Sequence, residues 1–87
     1  MKVKVLAFAW ARDAMGADRA EVEVPEGTTV REALRQLAES HPRLAGRSDA
    51  LTVAVNEEFV GPQWVLKAGD EVALIPPISG GRLVSDL

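Results

Sequence analysis

A chain of 87 residues is long enough for one domain with a single modest hydrophobic core. It has no cysteine, which excludes disulfides, thiolate metal sites and a cysteine nucleophile. Its net charge is -3, and its basic residues are scattered among the acidic ones, so nucleic acid is not an expected partner. The apolar stretches are far shorter than the roughly 20 residues that span a bilayer, and we expect a cytoplasmic protein without a membrane partner.

Residues 2–10 are predicted to form the first strand, because their side chains alternate between two faces. One face is small and apolar. The other begins with two lysines and continues into Leu6, Phe8 and Trp10. A face that is solvated at one end and aromatic at the other indicates a protein interface, although Phe8 and Trp10 could instead complete a core beneath loops.

A single helical turn or a loop is predicted at residues 12–16, closed by Gly16, and a second strand at residues 19–24. The two strands would form an N-terminal hairpin. Arg12 is a candidate contact for an anionic substrate or a partner carboxylate, against the alternative that it is an ordinary solvated arginine.

The main helix is predicted to begin at Thr29, because Thr29 and Glu32 have the spacing of a capping box. Its apolar residues recur at helical spacing, so one stripe should cover a face of the sheet: Val30, Ala33, Leu34, Leu37 and Ala38. Pro42 should end the helix. His41 lies near that C-terminus, where the helix dipole favours a histidine, and this interpretation outweighs catalysis or metal binding.

Two short strands are predicted at residues 51–55 and 59–60, on either side of a turn that begins at Asn56. Asparagine tolerates the left-handed backbone that such a turn requires. Phe59 follows the turn and belongs either to the apolar interface or to the rim of the core. Trp64 is predicted to pack beneath the adjoining connection as a structural residue.

The last predicted strand, residues 72–75, stops at Pro76 and Pro77, which lack N–H donors and fix φ. Gly80 and Gly81 follow, and without side chains they can thread a channel too narrow for other residues. The element order predicts an α+β domain with one main helix packed on one face of a mixed sheet. Such a tail suits the presentation of a backbone group to another protein's active site.

Resemblance to a known family rests on two runs, KVLAFAWARDAMG and GDEVALIPPISGG. They closely resemble the small, sulfur-carrying subunit of molybdopterin synthase, the MoaD family. The resemblance covers residues 2–81 and implies the ubiquitin-like β-grasp fold. In that family the second glycine is the last residue, whereas here Gly81 is followed by six more. We therefore divide the chain into a sulfur-carrier domain, residues 1–81, and a C-terminal extension, residues 82–87.

The sequence shows no metal cluster, nucleophile and base pair, phosphate loop or carboxylate pair, so we expect a chain that binds no cofactor or metal and catalyses nothing alone. The resemblance implies what it does instead. An ATP-dependent, E1-like activating enzyme would adenylate the Gly81 carboxylate, and a sulfurtransferase would supply sulfur for a thiocarboxylate. The tail would then enter the large subunit's active site and give its sulfur to cyclic pyranopterin monophosphate. A processing protease would first remove residues 82–87. We expect partner contacts at Phe8, Arg12, Phe59, Ile75, Pro76 and Pro77.

Two alternatives remain open. The chain could carry sulfur for thiamine synthesis or tRNA thiolation, since those carriers share the fold and the terminal glycines. It could also be a β-grasp interaction module that never carries sulfur, for which the two glycines are only a flexible exit.

Overall fold

Five strands form one mixed sheet in the computed structural model, which describes residues 1–77. In chain order the elements are β1 (Lys2–Ala7), α1 (Ala9–Met15), β2 (Arg19–Glu23), α2 (Val30–Ser40), β3 (Thr52–Val55), β4 (Glu58–Val60) and β5 (Glu71–Ile75). The strand order is β2-β1-β5-β3-β4. The central pair, β1 and β5, is parallel, and the other pairs are antiparallel. This arrangement confirms the predicted α+β class.

The first strand is shorter than predicted, because β1 ends at Ala7 and residues 9–15 are helical. Phe8 is the extended N-cap of α1, and Ala9 has φ 51°, which turns the chain out of the strand direction. The period-two pattern continued past Ala7 only because alanines alternate there, and alanine is also the strongest helix former. The predicted strand face bearing Phe8 and Trp10 is therefore wrong beyond Leu6.

Helix α1 ends as predicted at Gly16, which has φ 78° and donates its N–H to the Arg12 carbonyl at 2.9 Å. Such a left-handed C-cap strongly favours glycine. Trp10, on this helix, is half-buried against the core. The hairpin of β1 and β2 also forms, with Val3 opposite Val22, but a helix rather than a single turn connects its strands.

The start of α2 confirms the predicted capping box. The Thr29 hydroxyl accepts from the Glu32 N–H at 3.2 Å, and the Glu32 carboxylate accepts from the Thr29 N–H at 3.0 Å. Two more helix N–H groups, of Val30 and Arg31, reach loop carbonyls at 2.9 Å. These two carbonyls belong to Trp64 and Pro62, so the 61–65 segment closes the N-terminal end of α2.

The core lies between α2 and one face of the sheet. Its helix side is the predicted stripe, of which Val30, Ala33 and Leu37 are buried. Its sheet side consists of the inward-facing residues of the three central strands: Val3, Val5, Ala7, Val53, Val55, Val72 and Leu74. Leu44 and Leu66 close it, from the loop after α2 and from the connection before β5. Burial of this apolar surface is the main stabilising term for a chain without disulfides.

Trp64 does not pack beneath its connection, since the residue is 49% exposed. The prediction of a buried structural tryptophan is therefore wrong, although its carbonyl still supports α2. The connection is held instead by a backbone bridge between Thr29 and Val65 and by the burial of Leu66. Within residues 1–77, no helix is long and apolar enough to cross a membrane.

Candidate docking face and tail exit

The outer face of the sheet, opposite α2, carries a row of side chains that runs across all five strands. Strand register aligns Arg19 with Leu6, Leu6 with Ala73, Ala73 with Ala54, and Ala54 with Phe59. The row is apolar from Leu6 to the edge strand. Phe59, at that edge, is 73% exposed, so this face presents apolar surface to water.

A second row lies nearer the end of β5. Ile75 is half-buried and in register with Thr52. Phe8 lies beside it, because the Phe8 N–H reaches the Leu74 carbonyl at 3.3 Å, and the residue is 48% exposed. We call the apolar residues of the two rows that are not buried the outer patch: Leu6, Phe8, Phe59, Ala73 and Ile75. An exposed apolar cluster of this kind is typical of a protein interface.

The opposite end of the same face is charged. Lys4 is in register with Glu71, and the Lys2 ammonium lies 3.8 Å from a Glu21 carboxylate oxygen. The prediction that lysines and apolar residues share one sheet face is therefore confirmed. Phe8 reaches the outer patch as a helix N-cap beside the sheet rather than as a strand residue.

The tail leaves the sheet next to the outer patch. Strand β5 is central, between β1 and β3, and it ends at Ile75. Pro76 is buried and Pro77 is exposed, so the first proline holds the tail's origin against the body of the protein. Gly80 and Gly81, the predicted reactive residues, lie outside the described residues.

Arg12 is not part of the outer patch. It is exposed on α1, with its Nε 3.9 Å from an Asp13 carboxylate oxygen, and it shares a shallow pocket with Arg43. His41 caps α2 through its backbone N–H, which donates to the Leu37 carbonyl at 2.7 Å. Within residues 1–77, no group of three or more histidine, aspartate or glutamate side chains could hold a metal ion.

Two contacts near the site have no signal in the sequence. The Arg47 guanidinium stacks 3.9 Å from the centroid of the Trp10 ring and ties the loop after α2 to α1. Asn56 joins the β3–β4 turn to Asp70, with 3.0 Å between the amide nitrogen and a carboxylate oxygen. Both pairs are far apart in the chain, so no local pattern could reveal them.

Comparisons with known proteins agree with this architecture. The model of the ThiS family matches residues 5–81. The molybdopterin synthase sulfur carrier subunit of Chlamydomonas reinhardtii is 41% identical over 83 residues, which cover 93% of this chain and all of that protein.

Among solved structures, SAMP1 from Haloferax volcanii superposes with a TM-score of 0.83 at 32% identity, covering 93% of this chain and all of that one. The complex of subunits 1 and 2 of the molybdopterin-converting factor from Helicobacter pylori contains a chain with the same fold. Its TM-score is 0.64 at 22% identity, with 90% of this chain and 96% of that chain covered. These neighbours confirm the ubiquitin-like β-grasp fold.

Proposed function

Since the chain belongs to the ThiS family of ubiquitin-like sulfur carriers, we propose that it is the sulfur-carrying small subunit of a molybdopterin synthase. The MoaD resemblance inferred from the two sequence runs is confirmed by the relatives that bear the sulfur-carrier name at 31% to 43% identity.

One structural observation carries it: the outer patch adjoins the exit of the tail. A large subunit that covers Phe8 and Ile75 also holds the end of β5, because these residues lie beside one another at that end of the sheet. Docking of this face would therefore aim the tail. The buried Pro76 gives the tail a fixed origin, which keeps the entropy cost of positioning its reactive end low.

The proposed chemistry uses the tail's own carboxylate. An E1-like activating enzyme joins the Gly81 carboxylate to the AMP part of ATP and releases pyrophosphate. Sulfur at the sulfide level, supplied through a sulfurtransferase, then attacks the acyl carbon, displaces AMP and leaves a thiocarboxylate. In the large subunit this sulfur passes to cyclic pyranopterin monophosphate, and two such transfers complete the dithiolene of molybdopterin. The chain contributes recognition and delivery.

Residues 82–87 require a step before activation. In the 87-residue chain, Gly81 is joined to Arg82 by a peptide bond and offers no carboxylate to ATP. The extension also carries the branched residues Leu83, Val84 and Leu87, which a channel that admits only glycine would exclude. We therefore propose that a protease cleaves after Gly81.

The test compares the full chain with a version that ends at Gly81. Each is incubated with the activating enzyme and ATP, and pyrophosphate release is followed. Only the shortened chain should respond. Equal turnover of the full chain would contradict the precursor step. If neither form responds and the protein isolated from its native source still ends at Leu87, the non-carrier interaction module becomes the better interpretation.

The choice among sulfur carriers is tested by deletion of the gene. Loss of molybdoenzyme activity without thiamine auxotrophy or loss of tRNA thiolation supports the molybdopterin assignment. Thiamine auxotrophy or loss of tRNA thiolation with intact molybdoenzymes would assign the chain to the corresponding alternative.

A further inference from the structure

The chain's primary amines all lie at one end of the sheet. It has three lysines, Lys2, Lys4 and Lys67, besides the amine of Met1. Lys2 and Lys4 begin β1. Two backbone hydrogen bonds of 2.8 Å join the 67–70 turn to these two residues. The Gly69 N–H donates to the Lys2 carbonyl, and the Lys4 N–H donates to the Asp70 carbonyl. We call this region the amine end.

The Met1 amine at the same end is occupied. It donates to the Val24 carbonyl at 2.7 Å and lies 3.5 Å from a Glu23 carboxylate oxygen, with only 7% of the side chain exposed. The three lysines, whose side chains are exposed, are therefore the free amines that an acylating group would meet.

The tail leaves from the other end. Strands β1 and β5 are parallel, so both run away from the amine end, and Lys4 is in register with Glu71 at the start of β5. Four arginines lie around the exit: Arg12, Arg19, Arg43 and Arg47.

Each of these positions follows from a contact or a register. Arg19 is opposite Leu6 near the end of β1, and Arg12 is on the helix that follows β1. Arg43 lines the same pocket as Arg12. Arg47 stacks on Trp10, which is two residues after Phe8, and the Phe8 N–H donates to the Leu74 carbonyl near the end of β5.

Lysine and arginine differ in the property that matters to an activated acyl group, which is nucleophilicity. A lysine amine that loses its proton has a free lone pair and attacks carbonyl carbon. An arginine guanidinium stays protonated, with its lone pairs delocalised, and does not attack. Positive charge around the exit is thus supplied without a nucleophile.

Chain length leaves the existing lysines at or beyond the limit of the tail's reach. Gly81 is four residues beyond Pro77, and four extended residues span about 13 Å. Lys4 is level with Glu71, six residues before Pro77, or about 20 Å back along the sheet. A tail folded straight back along the sheet would bring its carboxyl group about 7 Å short of the level of Lys4, a gap that only a fully extended lysine side chain and a fully extended tail together could close. Lys2 is farther still.

We propose that this separation of amines from the tail exit directs the activated Gly81 acyl group to an external sulfur donor instead of to the chain's own lysines. The inference rests on the proposed function, since it concerns an activated Gly81. The arginines around the exit act as specificity-determining residues, because a lysine in their place would compete for the acyl carbon.

The competing step is an aminolysis. The lysine Nζ lone pair attacks the Gly81 carbonyl carbon, and a C–N bond forms. The bond to the leaving group breaks, and the leaving group departs with the proton that nitrogen loses. The product is a cyclised chain with an isopeptide bond, lighter than the hydrolysed chain by one water molecule.

The test avoids the activating enzyme. Residues 1–81 are prepared as a C-terminal thioester by thiolysis of an intein fusion. This shortened chain keeps the core, because all buried hydrophobic residues of the described part lie between Val3 and Leu74. Arg19→Lys and Arg47→Lys place a lysine at the tail exit. Arg31→Lys is the matched control, because its first-turn position on α2 lies beside the 61–65 segment and away from the exit.

Intact mass at mildly alkaline pH separates cyclised from hydrolysed chain, and peptide mapping locates the isopeptide bond. We expect about tenfold more cyclised product from each tail-exit variant than from wild type, as for an intramolecular reaction at high effective concentration. Arg31→Lys should match wild type.

Two results would overturn the inference: neither tail-exit variant exceeds wild type, or the wild-type thioester cyclises readily on Lys2, Lys4 or Lys67. Circular dichroism of each variant verifies folding, and Arg19→Lys does not disturb the Trp10 stacking that Arg47→Lys alters. Because the thioester is made without ATP, these outcomes are independent of pyrophosphate release, which tests the proposed function alone.

Discussion

Asn56 combines a constrained backbone with two side-chain hydrogen bonds. Its φ is 51°, and with Glu57 at 72° it forms the two-residue turn between β3 and β4. Its amide donates to the Asp70 carboxylate and accepts from the Glu71 N–H, both at 3.0 Å. One residue thus joins the turn to the start of β5, the strand that leads to the tail.

We predict that Asn56→Ala lowers the free energy of unfolding by about 2–3 kcal/mol, from left-handed strain and the lost hydrogen bonds together. Asn56→Gly is the control, because it loses the same hydrogen bonds without the strain and should cost less. Urea unfolding measures both. If the alanine and glycine variants are equally stable, the strain contribution is absent.

Helix α2 depends at its start on both local and distant partners. The reciprocal hydrogen bonds of Thr29 and Glu32 satisfy the N–H groups of these two residues. The carbonyls of Trp64 and Pro62 satisfy the two N–H groups between them. The helix therefore begins at a defined residue, and its apolar stripe meets the sheet in one register.

We predict that Thr29→Ala destabilises the protein by about 1 kcal/mol, because the N-cap hydroxyl is lost while the loop carbonyls remain. Thr29→Ser keeps the hydroxyl and should stay within about 0.5 kcal/mol of wild type. Thermal or urea unfolding distinguishes the two. A serine variant as unstable as the alanine variant would point to the threonine methyl group instead of the cap.

For the molecule as a whole, we predict that Phe8→Asp abolishes association with the large subunit without loss of stability. The charge would lie in the outer patch, where docking would have to desolvate it. Phe8 is an N-cap with extended backbone and no side-chain cap bond, a position that suits aspartate. Co-purification measures association and urea unfolding measures stability.

The control for this prediction is Val65→Asp, which introduces the same charge at a residue that is 50% exposed but outside the outer patch. It should leave association intact. Unfolding of the Phe8→Asp variant would show that Phe8 belongs to the core, and unchanged association would show that the outer patch is not the docking face.

We also predict that a thiocarboxylated chain ending at Gly80 fails to transfer sulfur in the large subunit while its unfolding curve is unchanged. One residue advances an extended chain by about 3.3 Å, and a reactive geometry tolerates far less. Gly81→Ala keeps the length and tests channel width, so it should slow transfer. Single-turnover transfer at the wild-type rate by the alanine variant would rule out a narrow channel.

Features with local causes could be predicted from the sequence. The capping box acts over three residues, the stripe of α2 over about two turns, and Gly16 and Asn56 each within one turn, so local residue patterns were enough to predict them. The two family-like runs likewise led to the correct fold.

The tertiary structure alone decided where distant segments meet. Phe8 and Trp10 left the predicted strand, because alanine alternation is compatible with both strand and helix. Trp64 remained exposed, because backbone bonds rather than its ring hold the 61–65 segment to α2. The lysines lie opposite the tail exit, because β1 and β5 pair in parallel although some 65 residues separate them. That pairing depends on the whole core, and no local pattern contains it.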